Sequence, residues 1–238
     1  MSAEPPTSTT SIQDPEVWAA RTKIATLAHL MFERRLTDAA GGNVSARVGT
    51  LVCITPRFAG SRRQWNLRAE DVLVADMEAN IVEGKGDISR EAKVHFRLHR
   101  DFGHLGTGVI HAHARNVLVF AATATPMPPV LEATRKFGEI PVVKYAAAHS
   151  HLLAENIAAA IASQQARIAG HAAAAIAPYH GLFLIGRDLD AAFDAVERID
   201  NNAYCILMGK QLMSSDLLAE SRAKMEATIL DFEHSEKH

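Results

Sequence analysis

Val109-Ile110-His111-Ala112-His113 is the stretch that decides the reading of this chain. Apolar residues flank two histidines spaced two apart, so a β-strand here would send both imidazoles to one face. Two imidazoles on a rigid strand form half of a metal site. A third histidine stands in Tyr179-His180-Gly181, far along the chain. Three protein ligands with one position left open are the mark of a catalytic rather than a structural metal. Taken alone, the pair reads first as two histidines packed in a core, so its neighbours along the chain carry the argument.

Working outward, Asp14-Pro15 supplies a helix cap and a first-turn proline, and helical periodicity runs through Val17, Ile24, Leu27 and Met31 to about Leu36. Ala39-Ala40-Gly41-Gly42-Asn43 is a tight loop. It leads into a hairpin, Val44–Val48 and Leu51–Ile54, turned at Gly49-Thr50. Val72–Ala75 and Ile81–Val82 predict a second hairpin. Ser89 is placed to cap a helix from Arg90 to about Asp101. After the histidine strand come a helix near Asn116–Ala122, a proline-rich loop at Pro126–Pro129 and a strand over Ile140–Tyr145. A helix capped by Ser150 then runs through Ile161. Strands at Ala173–Ala177 and Leu182–Ile185 and helices at Asp188–Met208 and Ser215–Leu230 complete the pattern. Helices separated by hairpins predict one α/β domain over residues 14–238, a mixed sheet flanked by helices. Residues 1–13 read as a disordered tail.

Composition narrows the function classes. A net charge of −2 with 48% hydrophobic residues offers no basic surface for nucleic acid. No apolar run approaches the ~20 residues of a membrane span, and the N-terminus lacks the regions of a signal peptide. The two cysteines, Cys53 and Cys205, sit singly in apolar segments, as reduced thiols of a cytoplasmic protein do.

Glu91 begins the predicted helix ahead of the histidine strand, a position a carboxylate also favours through the helix dipole alone. Gly41-Gly42-Asn43 is a glycine-rich turn whose N–H groups and Asn43 amide suit an anion or oxyanion. His95 and His99 share a helix face and read as a partly buried polar stripe. His149-Ser150-His151 repeats the spacing of the strand pair, but at a helix start, and reads as structural or as pocket lining.

In order, Gly42-Asn43-Val44-Ser45, Ile54-Thr55-Pro56, Asp71-Val72-Leu73-Val74-Ala75-Asp76, Ser89-Arg90-Glu91, His111-Ala112-His113 and His180-Gly181 with Gly186 resemble the class II aldolase/adducin family. That group includes L-fuculose-phosphate aldolase and L-ribulose-phosphate 4-epimerase, and the match covers roughly Val17 to Met208. The resemblance implies a three-layer α/β/α sandwich with a mixed, largely antiparallel central sheet. It implies a divalent metal, zinc foremost with Mn, Fe or Co as alternatives, on His111, His113 and His180. Glu91 would be the fourth metal contact or the acid/base, with Asn43, Gly42 and Ser89 on the substrate. The expected reaction is C–C cleavage of a hydroxy-carbonyl substrate through a metal-stabilised enediolate, by an aldehyde-lyase assembled as a homotetramer.

Two departures from the family pattern redirect the substrate. Sugar-phosphate members carry a small residue and glycine after the Ile-Thr-Pro, and two serines before the glutamate. Here Arg57-Phe58 and Ser89-Arg90 stand instead. Arginine offers a planar fork suited to carboxylates, so Arg57 and Arg90 point to a small carboxylate-bearing substrate, or to a phosphate held differently, with Arg115 as a further cation nearby. The alternatives are a carboxy-lyase that decarboxylates a hydroxylated, possibly aromatic, acid, and a non-catalytic adducin-like scaffold.

Overall fold

The computed structural model describes residues 10–235. Most of the expected tail therefore lies outside the described residues. Thr10 and Thr50 exchange hydrogen bonds of 3.2 and 3.4 Å, which fastens the chain ahead of the first helix to a hairpin turn.

The first helix, α1 (Pro15–Glu33), starts as its sequence directs, with the Asp14 carboxylate accepting from the Glu16 N–H at 2.9 Å. Such a cap contributes about 0.5–2 kcal/mol. The hairpin strands β1 (Asn43–Val48) and β2 (Leu51–Ile54) follow, then a short helix α2 (Ala59–Arg63) that periodicity does not announce. Next come β3 (Leu73–Ala75), β4 (Ile81–Glu83), α3 (Ala92–Phe102), β5 (Gly108–Ala112) and α4 (Val117–Ala122). The chain closes with α5 (His151–Ala162), β6 (Ala172–Ala177), β7 (Gly181–Gly186), α6 (Leu189–Leu212) and α7 (Ser215–Ser235).

Seven strands join in the order β4-β3-β2-β1-β5-β7-β6, and each named pair is antiparallel. The expected mixed character shrinks to one isolated parallel bridge, Val142 to Ile176. The Ile140–Tyr145 strand is likewise reduced to single bridges, because Pro141 has no N–H to continue a ladder. Alternation along the strands divides two cores. Ile110, Ala112, Val44, Leu182 and Leu184 pack against α1, α4 and α6. Val109, Phe183 and Ile185 pack with Leu98 of α3 and Ile157 of α5. Each such buried aliphatic side chain contributes about 1.5–3 kcal/mol. The result is the three-layer sandwich.

Helix α3 begins later than Ser89 suggests. The Ser89 hydroxyl does accept a 3.3 Å bond from the Glu91 N–H, but regular helix starts at Ala92 and Glu91 is its capping residue. His95 and His99 are fully buried rather than partly so, with Ser45 Oγ between them. Cys53 is buried in β2, where desolvation pushes its thiol up to about 12, and Cys205 is half-buried on α6. No described helix is long and apolar enough to cross a membrane.

Candidate metal centre

His111 lies on β5, whose neighbours are β1 and β7. Its parity turns it to the α3/α5 side, stacked on Phe183 of β7 at 4.0 Å between ring centroids. His113 follows the end of β5, and His180 precedes the start of β7. Antiparallel pairing of β5 with β7, Ala112 opposite Leu182, therefore brings the distant His180 beside the strand pair. The ligand nitrogens of the three lie within 4.8 Å of one another. Nitrogens on one tetrahedral ion at about 2.0–2.1 Å lie closer than that, so small ring rotations separate this arrangement from a closed one.

Glycine makes the convergence sterically feasible. A Cβ at Gly181 would stand 2.7 Å from the Ala112 carbonyl and 3.1 Å from His113 Cδ2, and one at Gly41 would overlap the His113 ring. The Gly41 loop is itself fixed, since Thr37 Oγ1 donates to the Gly41 carbonyl at 2.6 Å and Trp65 Nε1 donates to the Asp38 carbonyl at 2.7 Å.

Tautomers follow from the outer contacts. His111 Nδ1–H donates to the Leu182 carbonyl at 3.0 Å, and His113 Nδ1–H to Asp38 Oδ2 at 3.3 Å. Each bond leaves Nε2 with its lone pair free, the arrangement that suits metal ligation. Both Nε2 atoms are buried and have no hydrogen-bond partner among the described residues. Burial, reinforced by the other two histidines, holds His111 well below the ordinary imidazole range. Burial first, then His113 and His149, brings His180 down to about 4. His111 and His180 thus offer lone pairs near neutral pH. Imidazoles with buried orphan nitrogens and an adjoining carboxylate fit a borderline divalent ion such as zinc.

That carboxylate is Glu91, buried, with Oε1 3.5 Å from His180 Nε2 and 2.7 Å from His149 Nδ1. The shorter approach lacks the direction of a hydrogen bond, and both carboxylate oxygens are otherwise unpartnered. Burial raises Glu91 to about 7, against the pull of the Arg90 and Lys93 charges. Desolvation, then the charges of Arg90, Lys93 and Arg57, lowers His149. His149 lines the pocket, one of the two readings its sequence position allowed. Its partner in the repeated spacing, His151, is exposed at the start of α5 and lines a different cleft.

The histidines and Glu91 open on a cavity of about 160 Å³ whose wall includes Gly42, Asn43, Arg57, Ser89, Arg90 and His149. Arg57 stacks on Phe58, its guanidinium carbon 4.5 Å from the ring centroid. Asn43 is buried on β1 opposite His111, and Ser89 Oγ approaches its Oδ1 at 3.4 Å. Two expectations change here. The Ala40 and Gly41 N–H groups already donate to Asp38 Oδ1 at 2.8 and 2.9 Å, so they are not free for an anion. Arg115 lines a neighbouring cleft beyond Asp38 and His113, not this cavity.

Comparison with known proteins gives the family and the fold. The family described as Class II Aldolase and Adducin N-terminal domain matches residues 22–207. An L-fuculose phosphate aldolase of Methanococcus maripaludis is 28% identical over 183 residues, covering 76% of this chain and 93% of that one. Among solved structures, an L-fuculose 1-phosphate aldolase superposes with a TM-score of 0.71 at 22% identity, over 87% of this chain and 96% of the other. The l-fuculose-1-phosphate aldolase of Thermus thermophilus gives 0.66 at 22%, over 84% and 96%. At such identities the structural likeness speaks for the fold.

Proposed function

Because the chain belongs to the class II aldolase and adducin family, we propose that it is a zinc-dependent lyase that cleaves a C–C bond in a carboxylate-bearing hydroxy-carbonyl compound. One observation carries this reading. Two buried Nε2 atoms without partners converge with His180 beside a buried carboxylate, at the end of a cavity large enough for a small substrate.

In this reading His111, His113 and His180 hold the ion. When bound, it supplies Lewis acidity that polarises the substrate carbonyl and offsets the negative charge developing on oxygen as the bond breaks. Glu91 moves the proton at the carbon left behind, a task matched to its raised pKa near 7. Arg57 and Arg90 bind the carboxylate, and Asn43 and Ser89 orient the remaining oxygens, with Gly42 leaving room for close approach. Phe58, in place of the glycine of sugar-phosphate members, closes the backbone approach a phosphate would use, and the two arginines suit the carboxylate of a 4-hydroxy-2-oxo acid.

We further propose that residues 14–238 act as one domain and assemble as a homotetramer. Helix α7 supports this, because none of its residues is buried and Leu217, Leu230 and Phe232 are exposed along it.

The test is metal analysis of the purified protein together with a panel of 4-hydroxy-2-oxo acids, hydroxylated aromatic acids and L-fuculose 1-phosphate. About one zinc per chain, with aldehyde release from an oxo acid, is the expected result. Arg90→Ser should raise KM for that acid about tenfold, the loss of one charged hydrogen bond. Release of CO2 from a hydroxylated acid would make the protein a decarboxylase. Absence of both metal and turnover would make it a scaffold.

A further inference from the structure

Glu91 Oε1 has two histidine neighbours, His180 Nε2 at 3.5 Å and His149 Nδ1 at 2.7 Å. His180 belongs to the converging set and His149 does not. Three features set His149 apart from an ordinary wall residue. Its backbone is left-handed, at φ +67°, where a residue with a Cβ is strained and glycine is not. The strained turn is held from both sides. Lys93 Nζ donates to the His149 carbonyl at 2.9 Å, the Ser150 N–H donates to the Ala147 carbonyl at 3.2 Å, and Ser150 caps α5. Finally, Nδ1 is buried against the carboxylate while the side chain as a whole is 37% exposed, which leaves Nε2 to the cavity.

We propose that His149 is a second catalytic residue of this pocket: the base that takes the substrate hydroxyl proton at the start of cleavage and hands it on to Glu91. The assignment rests on the aldolase reading above. His149 Nε2 accepts the proton of the hydroxyl on the carbon that leaves as an aldehyde. The O–H pair becomes the new C=O bond, and the C–C pair stays on the other fragment. The Glu91 carboxylic acid protonates that carbon. A carboxylate then faces an imidazolium across the 2.7 Å contact. A turn of the ring that points Nδ1–H at Oε1 passes that proton to the carboxylate and restores the acid. The neutral ring regains its starting tautomer by proton exchange with solvent at its exposed side. One proton has moved from substrate oxygen to substrate carbon, and no other reactant is consumed.

Two assays separate the roles. Cleavage of 4-hydroxy-2-oxo acids and of L-fuculose 1-phosphate requires both residues. Exchange of carbon-bound protons of pyruvate or dihydroxyacetone phosphate in D2O requires Glu91 and no hydroxyl base. In the holoprotein, His149→Asn keeps a side chain that tolerates the left-handed backbone but carries no transferable proton. Cleavage should fall about 10²-fold, the scale of a general base, while exchange, metal content and thermal midpoint stay near wild type. His149→Gly, unstrained at this φ, should behave alike if the asparagine variant folds poorly. Undiminished cleavage in either variant overturns the proposal, as does an equal fall of cleavage and exchange, the sign of a displaced Glu91. A wild type inert in both assays overturns the lyase reading as well, whereas an active wild type with an active His149→Asn overturns this assignment alone.

Discussion

Two histidine groups in this chain, His95 with His99 and His111 with His113 and His180, each reach into the buried interior and differ in what stands at their focus. Burial depresses members of both groups, bringing His95 to about 3 and His180 to about 4. Between His95 Nδ1 and His99 Nε2 lies Ser45 Oγ, at 2.7 and 2.8 Å. Its single proton can serve only one ring, so the other ring must donate to the oxygen, and the three side chains lock one another. The outer nitrogens of this pair also lack partners, yet no further ligand-bearing side chain joins them among the described residues. At the focus of the other group there is instead a cavity, and its outer nitrogens are pinned by the Leu182 carbonyl and Asp38. Spacing alone therefore does not distinguish a core pair from a ligand set. The group at the focus does.

That contrast breaks most readily at His111. His111→Ala should drive metal stoichiometry toward zero and lower turnover about 10³-fold or more, as removal of a Lewis acid worth several kcal/mol requires. Circular dichroism of the variant should stay close to wild type, because the sheet core does not depend on the ion. Retained zinc in this variant would falsify the ligand assignment.

Glu91→Gln comes next. It keeps the shape of the side chain but not its proton, so turnover should fall about 10²-fold with zinc retained. Equal loss of metal would move Glu91 from proton carrier to ligand. Asp38→Ala removes the acceptor that orients His113. A contact of 3.3 Å is long, so we expect zinc affinity to weaken about tenfold in competition with a chelator, the low end for such partners.

Ser45→Ala sharpens the other side of the comparison. It leaves two buried imidazoles without their shared partner and should cost about 1–3 kcal/mol in urea unfolding, with zinc content unchanged. Zinc loss there would join the two groups into one functional unit.

The legible part of the site was the part written in short-range pattern. Alternation around His111 and His113 gave their common face, and the apolar run from Leu182 to Ile185 gave the strand beside them. Arg57 and Arg90 were expected at the pocket and both line it. For His149 the sequence left pocket lining as one of two readings; its left-handed turn and its contact with Glu91 across 58 positions were not legible, because neither has a periodic signature. Helix α2 escaped for a related reason, since it follows Phe58 in another left-handed conformation that no residue type there announces. At Ile140–Tyr145, composition suggested a strand and a single proline overruled it.

That interrupted segment bears on how the protein survives synthesis. The sheet has two free margins. One, β4, is three residues long, and its Glu83 is tied to Arg21 at 2.5 Å. The other, β6, is a run of five alanines and one isoleucine, ample backbone for a stray strand to pair with. The segment around Pro141 lies across it instead. The Ile176 N–H donates to the Pro141 carbonyl at 2.8 Å, and the Val143 N–H to the Ile176 carbonyl at 2.9 Å. Gln164 Nε2 donates to the Ala174 carbonyl at 2.8 Å and occupies another position on the same margin. A proline-bearing cover cannot itself extend the sheet, so it ends the ladder where a regular strand would have offered a fresh edge. Until that cover docks, a newly made chain presents an alanine-rich template, and losses to aggregation during refolding should concentrate in that interval.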